Sequence, residues 1–408
     1  MTEARKNSPG QQAESLWTKN LVLIVFLNLF IMLAFQMLNP VMPVLADRLG
    51  GSGRAAGLVV GVFTISSIFM RPIAGMLADR RGRKVVFIGG LILFAACTFS
   101  YIWVSAILFL LAVRFVHGFA WGTTSTAATT IATDAIPKAR LGEGMGYVGL
   151  AGTLAMAIAP ALGLTIAENF GLRFVFPLSF ACIIACFVIA CLINYQEPQP
   201  APAGTKNSII ESKAIFPGLI ILLITMTYGS IVTFIALYAE ESNVTGIGLF
   251  FTVYAIAVFI ARPLFGRLSD RKGYSVAVIP GIIAICCAML LLYNAAALPM
   301  FCLAGFVYGL GFGATQSALM AMAVRDVSPA RRGAANATFF VGFDVGIGMG
   351  AILWGTVAEI TGYRTIYALA IIPAAIAMGI FLLNQKPWLS QKSNIYEISR
   401  QDSPAANG

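Results

Sequence analysis

Along most of this chain apolar residues neither alternate with polar ones nor keep to one face of a helix. They run on for about twenty positions or more before a short polar break. A hydrocarbon core about 30 Å thick takes roughly 20 residues of α-helix, so each run is long enough to cross a bilayer. The predicted spans are 19–45, 55–78, 85–104, 106–132, 143–167, 172–194, 214–239, 246–268, 275–295, 298–324, 334–360 and 364–384. A transmembrane β-barrel would show alternating segments of about ten residues instead. The pattern predicts an all-α membrane protein with 12 transmembrane helices.

Composition agrees: 59% of the 408 residues are hydrophobic and 11% are charged, with a mean hydropathy of +0.85. A soluble domain of this size is not built that way. The formal net charge is +10. On a soluble protein this would point to nucleic acid, but here the basic residues cluster in alternate loops. With the N-terminus placed inside, Arg80, Arg81, Arg83, Lys84, Arg267, Arg271, Lys272, Arg331 and Arg332 all fall on that side, while Arg48, Arg54, Arg173 and Arg364 fall outside. The bias is a topology signal, and it predicts both termini in the cytoplasm and an inner-membrane location. All seven cysteines lie in apolar spans, where thiols behave as small hydrophobes, so no disulfide framework or metal site is expected. The polar first twenty residues followed by a full-length span argue against a cleaved leader.

The chain repeats itself. Arg71-Pro72-Ile73-Ala74-Gly75-Met76-Leu77-Ala78-Asp79-Arg80-Arg81-Gly82 returns 191 positions later as Arg262-Pro263-Leu264-Phe265-Gly266-Arg267-Leu268-Ser269-Asp270-Arg271-Lys272-Gly273. At the same offset Phe115, Val116 and Gly118 return as Phe306, Val307 and Gly309, and Ala167-Glu168 returns as Ala358-Glu359. Repetition at one offset marks a duplicated unit. The expected organisation is a tail (1–18), a six-helix bundle (19–194), a linker rich in proline (195–213), a second six-helix bundle (214–384) and a tail (385–408). Where the copies differ, chemistry enters: Arg114 corresponds to Gly305, His117 to Tyr308 and Thr153 to Asp344.

Asp344 is the one carboxylate of seventeen set well inside a span. Intramembrane acids usually line a pathway, and a carboxyl that exchanges a proton there can couple transport to a proton gradient. A permanent ion pair is the alternative. Arg114, a third of the way into the fourth span, needs a partner or water. His117 shares its helical face and titrates in the physiological range, although a lone histidine is as readily a packing residue. Amides at Asn28, Gln36 and Asn39 face other helices or a cavity. The cavity candidates are Asn28, Gln36, Thr124, Tyr228, Phe312 and Gln316. Small residues and a proline from Gly146 through Pro160 to Gly163 make the fifth span a packing and hinge surface. Gly309-Leu310-Gly311-Phe312-Gly313 looks like a nucleotide loop, but it lies within a span and follows no strand. No metal cluster, nucleophile–base pair or phosphate loop is visible, so no enzyme and no cofactor are expected.

Two six-helix repeats, with Gly75-x-Leu77-x-Asp79-Arg80-x-Gly82-Arg83-Lys84 at the turn between the second and third spans, resemble the major facilitator superfamily over nearly the whole chain. Arg114-Phe115-Val116-His117-Gly118 is similar to that family's motif in the fourth helix. The fifth helix is similar to the exporters' antiporter motif at Gly146, Pro160 and Gly163, with Ala155, Ala159 and Leu164 where glycines are usual. The resemblance implies rocker-switch alternating access around a midplane cavity lined by helices 1, 4, 7 and 10. It implies that Gly75, Asp79, Arg80 and Arg83, with their echoes Gly266, Asp270 and Arg271, form a conformational switch. It also implies a proton-driven exporter of a small amphipathic drug or metabolite, with Asp344 as the proton site, modulated by Arg114. A monomer is expected, since each half already packs on the other. A proton-linked importer of a sugar or small organic acid is the first alternative, and a membrane receptor or partner subunit that moves nothing is the second.

Overall fold

In the computed structural model, residues 17–137, 141–195, 210–327 and 332–384 are described. The tails, most of the linker and the loop residues 138–140 and 328–331 lie outside them. Among the described residues every regular element is a helix, and twelve helices or helix pairs are long and apolar enough to cross a membrane. Their ends agree with the spans expected from hydropathy to within a few residues, since the thickness of the apolar phase dictates both.

The first span is broken into α1 (Lys19–Leu38) and α2 (Val41–Arg48). Thr18 caps α1 through its hydroxyl, and Pro40, which has no N–H to donate, stands at the break. Then come α3 (Gly53–Arg81), α4 (Arg83–Ser100), α5 (Ile107–Ala135), α6 (Leu141–Asn169) and α7 (Val175–Leu192). After the linker follow α8 (Ser212–Glu241), α9 (Gly248–Lys272), α10 (Ser275–Tyr293), α11 (Leu298–Arg325) and α12 (Arg332–Thr361), and a last span broken into α13 (Tyr363–Leu369) and α14 (Ile371–Leu383). Gly82 and Gly273 make the sharp turns α3–α4 and α9–α10 with φ of 91° and 92°, a region that side chains avoid.

The duplication is visible in the packing. Helix α1 packs on α6 and α7 as α8 packs on α12 and α14, α3 on α5 as α9 on α11, and α4 on α5 as α10 on α11. Individual contacts repeat as well. A Cβ on Gly118 would run into the Phe63 carbonyl, and one on Gly309 into the Tyr254 carbonyl, 191 positions on. One on Gly90 would meet Thr124 Oγ1, and one on Gly281 would meet Thr315 Oγ1. With no hydrophobic drive between helices in lipid, such backbone approaches and the dispersion they allow hold the bundle.

Two seams join the first six spans to the last six, α3 against α12 and α6 against α9, and they too are copies of each other. Along the first, Gly53 meets Gly355, Gly57 meets Ala351 and Thr64 meets Gly348. Spacings of four and seven residues on α3 and of three and four on α12 keep these small positions on one stripe of each helix. Along the second, Gly248 lies against Ala161 and Thr165. Each seam ends in a glutamate reaching across it: Glu359 pairs with Arg54 at 3.1 Å, and Glu168 accepts the Gly246 N–H at 2.7 Å.

Candidate functional site

The stripe of small residues on α3 continues to Arg71, and there the seam turns polar. Arg71 Nη2 donates to Asp344 Oδ2 on α12 at 2.7 Å. The two side chains are 28% and 22% exposed, so the pair is shielded without being sealed. Arg71 Nε is buried and has no hydrogen-bond partner among the described residues. A carboxylate and a guanidinium at this distance make a charge-assisted bond, stronger than a neutral one. It ties α3 to α12 inside the membrane-spanning region.

The copy of this pair on the second seam lacks the carboxylate. Arg262, the counterpart of Arg71, donates from Nη1 to Thr153 Oγ1, the counterpart of Asp344. Its Nη2 donates to Gln316 Oε1 at 2.7 Å. Thr153 and Arg262 line a cleft with Met156, Tyr254, Ala255 and Val258. Tyr254 leads from there into an aromatic cluster. Its ring lies 6.1 Å from Tyr228 and 6.3 Å from Phe312, and the last two stack at 5.2 Å. Tyr228 Oη is buried with no partner among the described residues. So the second-half cavity candidates Tyr228, Phe312 and Gln316 come together, joined by Arg262 and Tyr254.

The first-half candidates do not join them. Asn28 donates to the Val148 carbonyl at 2.8 Å, which fastens α1 to α6. Gln36 accepts from Asn39 at 2.6 Å near the break between α1 and α2. Thr124 is buried and returns its hydroxyl to the Ala120 carbonyl at 2.7 Å. These are the bonds of interhelical glue and of threonines within a helix.

Arg114 is fully buried and stands apart from Asp344. Its Nε donates to the Val59 carbonyl at 3.1 Å, and its guanidinium lies 4.2 Å from the centre of the Phe63 ring, within cation–π range. Nη1 and Nη2 have no partner among the described residues. His117, also buried, shares a 2.7 Å bond between Nδ1 and Tyr101 Oη. The guanidinium that meets Asp344 belongs to Arg71, and Arg114 makes its contacts elsewhere, with Val59 and Phe63. Burial depth singled out Arg114, but the pairing is decided by which helices cross, and α3 rather than α5 faces α12.

The signature segment closes on its own half. Arg83 Nε pairs with Asp134 on α5 at 2.8 Å, and its Nη1 donates to the Ala78 carbonyl at 3.3 Å. Arg80 and Arg271 are exposed. The side chains of Asp79 and Asp270 lie outside the described residues. No atom stands within 4 Å of the Cβ positions of Gly75 and Gly266. On α6, Pro160 lies inside the helix and Gly163 abuts the Met37 carbonyl on α1; the side of Gly146 lies outside the described residues.

Against known families, the model described as Major Facilitator Superfamily matches residues 24–245 and again 217–397. The chain belongs to the major facilitator superfamily. As in the superfamily at large this makes it a multi-pass membrane transporter of small molecules and not an enzyme. An uncharacterized MFS-type transporter of Methanocaldococcus jannaschii is 27% identical over 89% of this chain and 97% of its own length. The multidrug resistance protein MdtG of Yersinia enterocolitica is 29% identical over 63% of this chain and 66% of its own length, just under two thirds. Among solved structures, the nucleoside transporter NupG has a TM-score of 0.73 at 15% identity, covering 89% of this chain and 99% of that one. A bacterial homolog of the human lysosomal transporter Spinster, in an inward-facing, unoccupied conformation, has a TM-score of 0.75 at 15% identity over 91% and 97%. At these identities the structural likeness carries the superfamily's fold alone.

Proposed function

We propose that this transporter exports a small amphipathic compound in exchange for protons, with the Arg71–Asp344 pair as its coupling element and the inner membrane as its location. The observation that carries the reading is the ion pair itself: an acid within a membrane span, bound at 2.7 Å to a guanidinium of the other half, across the seam that must move in alternating access. The likeness to MdtG supports export of drug-like compounds.

With the basic loops in the cytoplasm, the seams of small residues close the outer side, and the open space at Gly75 and Gly266 lies inward. The paired carboxylate is then the state that follows proton release to the inside. In the opposite, outer-open arrangement a proton taken up from outside neutralises Asp344 and leaves Arg71 without its counter-charge. The two halves lose that tie, and the equilibrium between the two arrangements shifts. Loss of the proton on the inside restores it. The gradient is adequate to the task, since one charge moved through 100 mV is worth about 2.3 kcal/mol, or roughly fifty-fold accumulation. Asp79 and the signature loop act on the same balance by holding the inner side closed in the opposite arrangement.

The test uses inverted membrane vesicles made acidic inside. Solute uptake with loss of lumenal protons, both abolished by Asp344→Asn, is the expected result. Solute leaving together with protons would replace export by import, and no gradient-dependent movement of any compound would favour a receptor or partner subunit.

A further inference from the structure

The two seams are copies, yet they differ in charge. Arg71 and Arg262 occupy matching positions on α3 and α9, and each points across its seam at matching positions of the partner helix. Arg71 meets Asp344, so that seam is neutral. Arg262 meets Thr153, with Gln316 as its other partner, and both accept as neutral groups. Among the described residues no carboxylate pairs with Arg262. In the copy the position of Thr153 is held by Asp344, and here the chain supplies a hydroxyl instead of a carboxylate. A half-buried guanidinium in a membrane span with only neutral acceptors is in an unfavourable position, which a negative charge would relieve.

We propose that the transported compound brings this missing charge: Arg262 binds the anionic group of an amphipathic organic monoanion, such as a carboxylate carried on an aromatic body. This deepens the export reading above by naming the substrate class. The planar guanidinium presents its donors as a fork that matches two carboxylate oxygens, and Thr153 and Gln316, which now occupy two of those donors, are neutral groups that an anion outcompetes. Apolar surface lies beside it: Arg262 and Thr153 share their cleft with Met156, Tyr254 and Val258, and the Tyr254 ring packs in turn against the buried rings of Tyr228 and Phe312. A bound anion would neutralise Arg262 as Asp344 neutralises Arg71. Loading the substrate and holding the built-in pair are then equivalent events on symmetry-related seams, which gives occupied and empty transporter different balances between the two arrangements.

The experiment is isothermal titration of the purified full chain in detergent with three probes of constant shape, 2-naphthoate, 2-naphthamide and 2-naphthylmethylammonium, each blanked against protein-free micelles. Naphthoate is expected to bind about tenfold or more tighter than the amide, as a charge-assisted bond replaces a neutral one, and the ammonium not at all. Arg262→Gln should weaken naphthoate at least about tenfold. Thr153→Asp should do the same while leaving the cation in place, because it installs the carboxylate that the other seam already has. This second variant keeps the test valid if Arg262→Gln folds poorly. Equal binding of the three probes, undetectable binding of naphthoate, or naphthoate affinity unmoved by Thr153→Asp would overturn the proposal. Binding is read without any gradient, so a failure of proton-coupled export would leave this result standing, and failure here would leave the export reading standing.

Discussion

Removing the charge from either end of the Arg71–Asp344 pair should shift the balance between the two arrangements by a calculable amount. Two unit charges about 4 Å apart attract by about 4 kcal/mol at the effective dielectric of a partly shielded site. Desolvation offsets part of this. Exposed pairs contribute about 0–1 kcal/mol and breaking fully buried ones costs about 3–5 kcal/mol. With side chains 28% and 22% exposed, this pair falls between the two limits, and we take about 1–3 kcal/mol, which is a five- to 150-fold change in a two-state ratio. The assay is a double-mutant cycle with Arg71→Gln, Asp344→Asn and the double variant. Each is read as the population of outer-closed protein from spin-label distances between Ser52 and Ile360, which sit on opposite sides of the first seam. Each single variant should lower the closed population, and the double should lower it by less than the sum of the two. A coupling energy below about 0.5 kcal/mol, the level at which independent sites add, would refute the reasoning that this pair holds the seam.

Three other outcomes are expected. Arg71→Gln should move the pH midpoint of transport, whereas Arg114→Gln, whose side chain lies against Val59 and Phe63, should lower rate or stability and leave the midpoint in place; equal shifts would return Arg114 to the coupling site. Gly118→Ala and Gly309→Ala should each destabilise the folded protein by about 1–3 kcal/mol in a thermal melt, because a methyl there strikes a carbonyl of the neighbouring helix. Gly75→Ala and Gly266→Ala meet no atom within 4 Å in this arrangement, so they should leave its melting temperature unchanged and slow transport only through the opposite arrangement. A drop in melting temperature equal to that of Gly118→Ala would contradict that assignment.

Most of the fold could be read along the chain because one physical quantity, the thickness of the apolar phase, sets every span. The duplication was equally open, since Arg71 and Arg262 stand in the same words of the same sentence. Asp344 could be singled out because a carboxylate inside a span is costly and rare. Its partner could not be chosen, because the pairing depends on α3 crossing α12, and local hydropathy says nothing about which helices cross. A signal was present even so: Arg71 and Arg262 correspond at offset 191, and so do Asp344 and Thr153, so the four residues form two copies of one contact. Asn28, Gln36 and Thr124 show the opposite limit. A polar group in a span must find a partner, but sequence alone does not distinguish a helix backbone from a bound solute.

The most direct test of proton coupling through the seam is proton release itself. Purified protein in weakly buffered detergent solution, given a transported compound, should release protons as the compound binds, and Asp344→Asn should release none while still binding it. Release of equal size from the variant would show that the exchanged proton resides elsewhere.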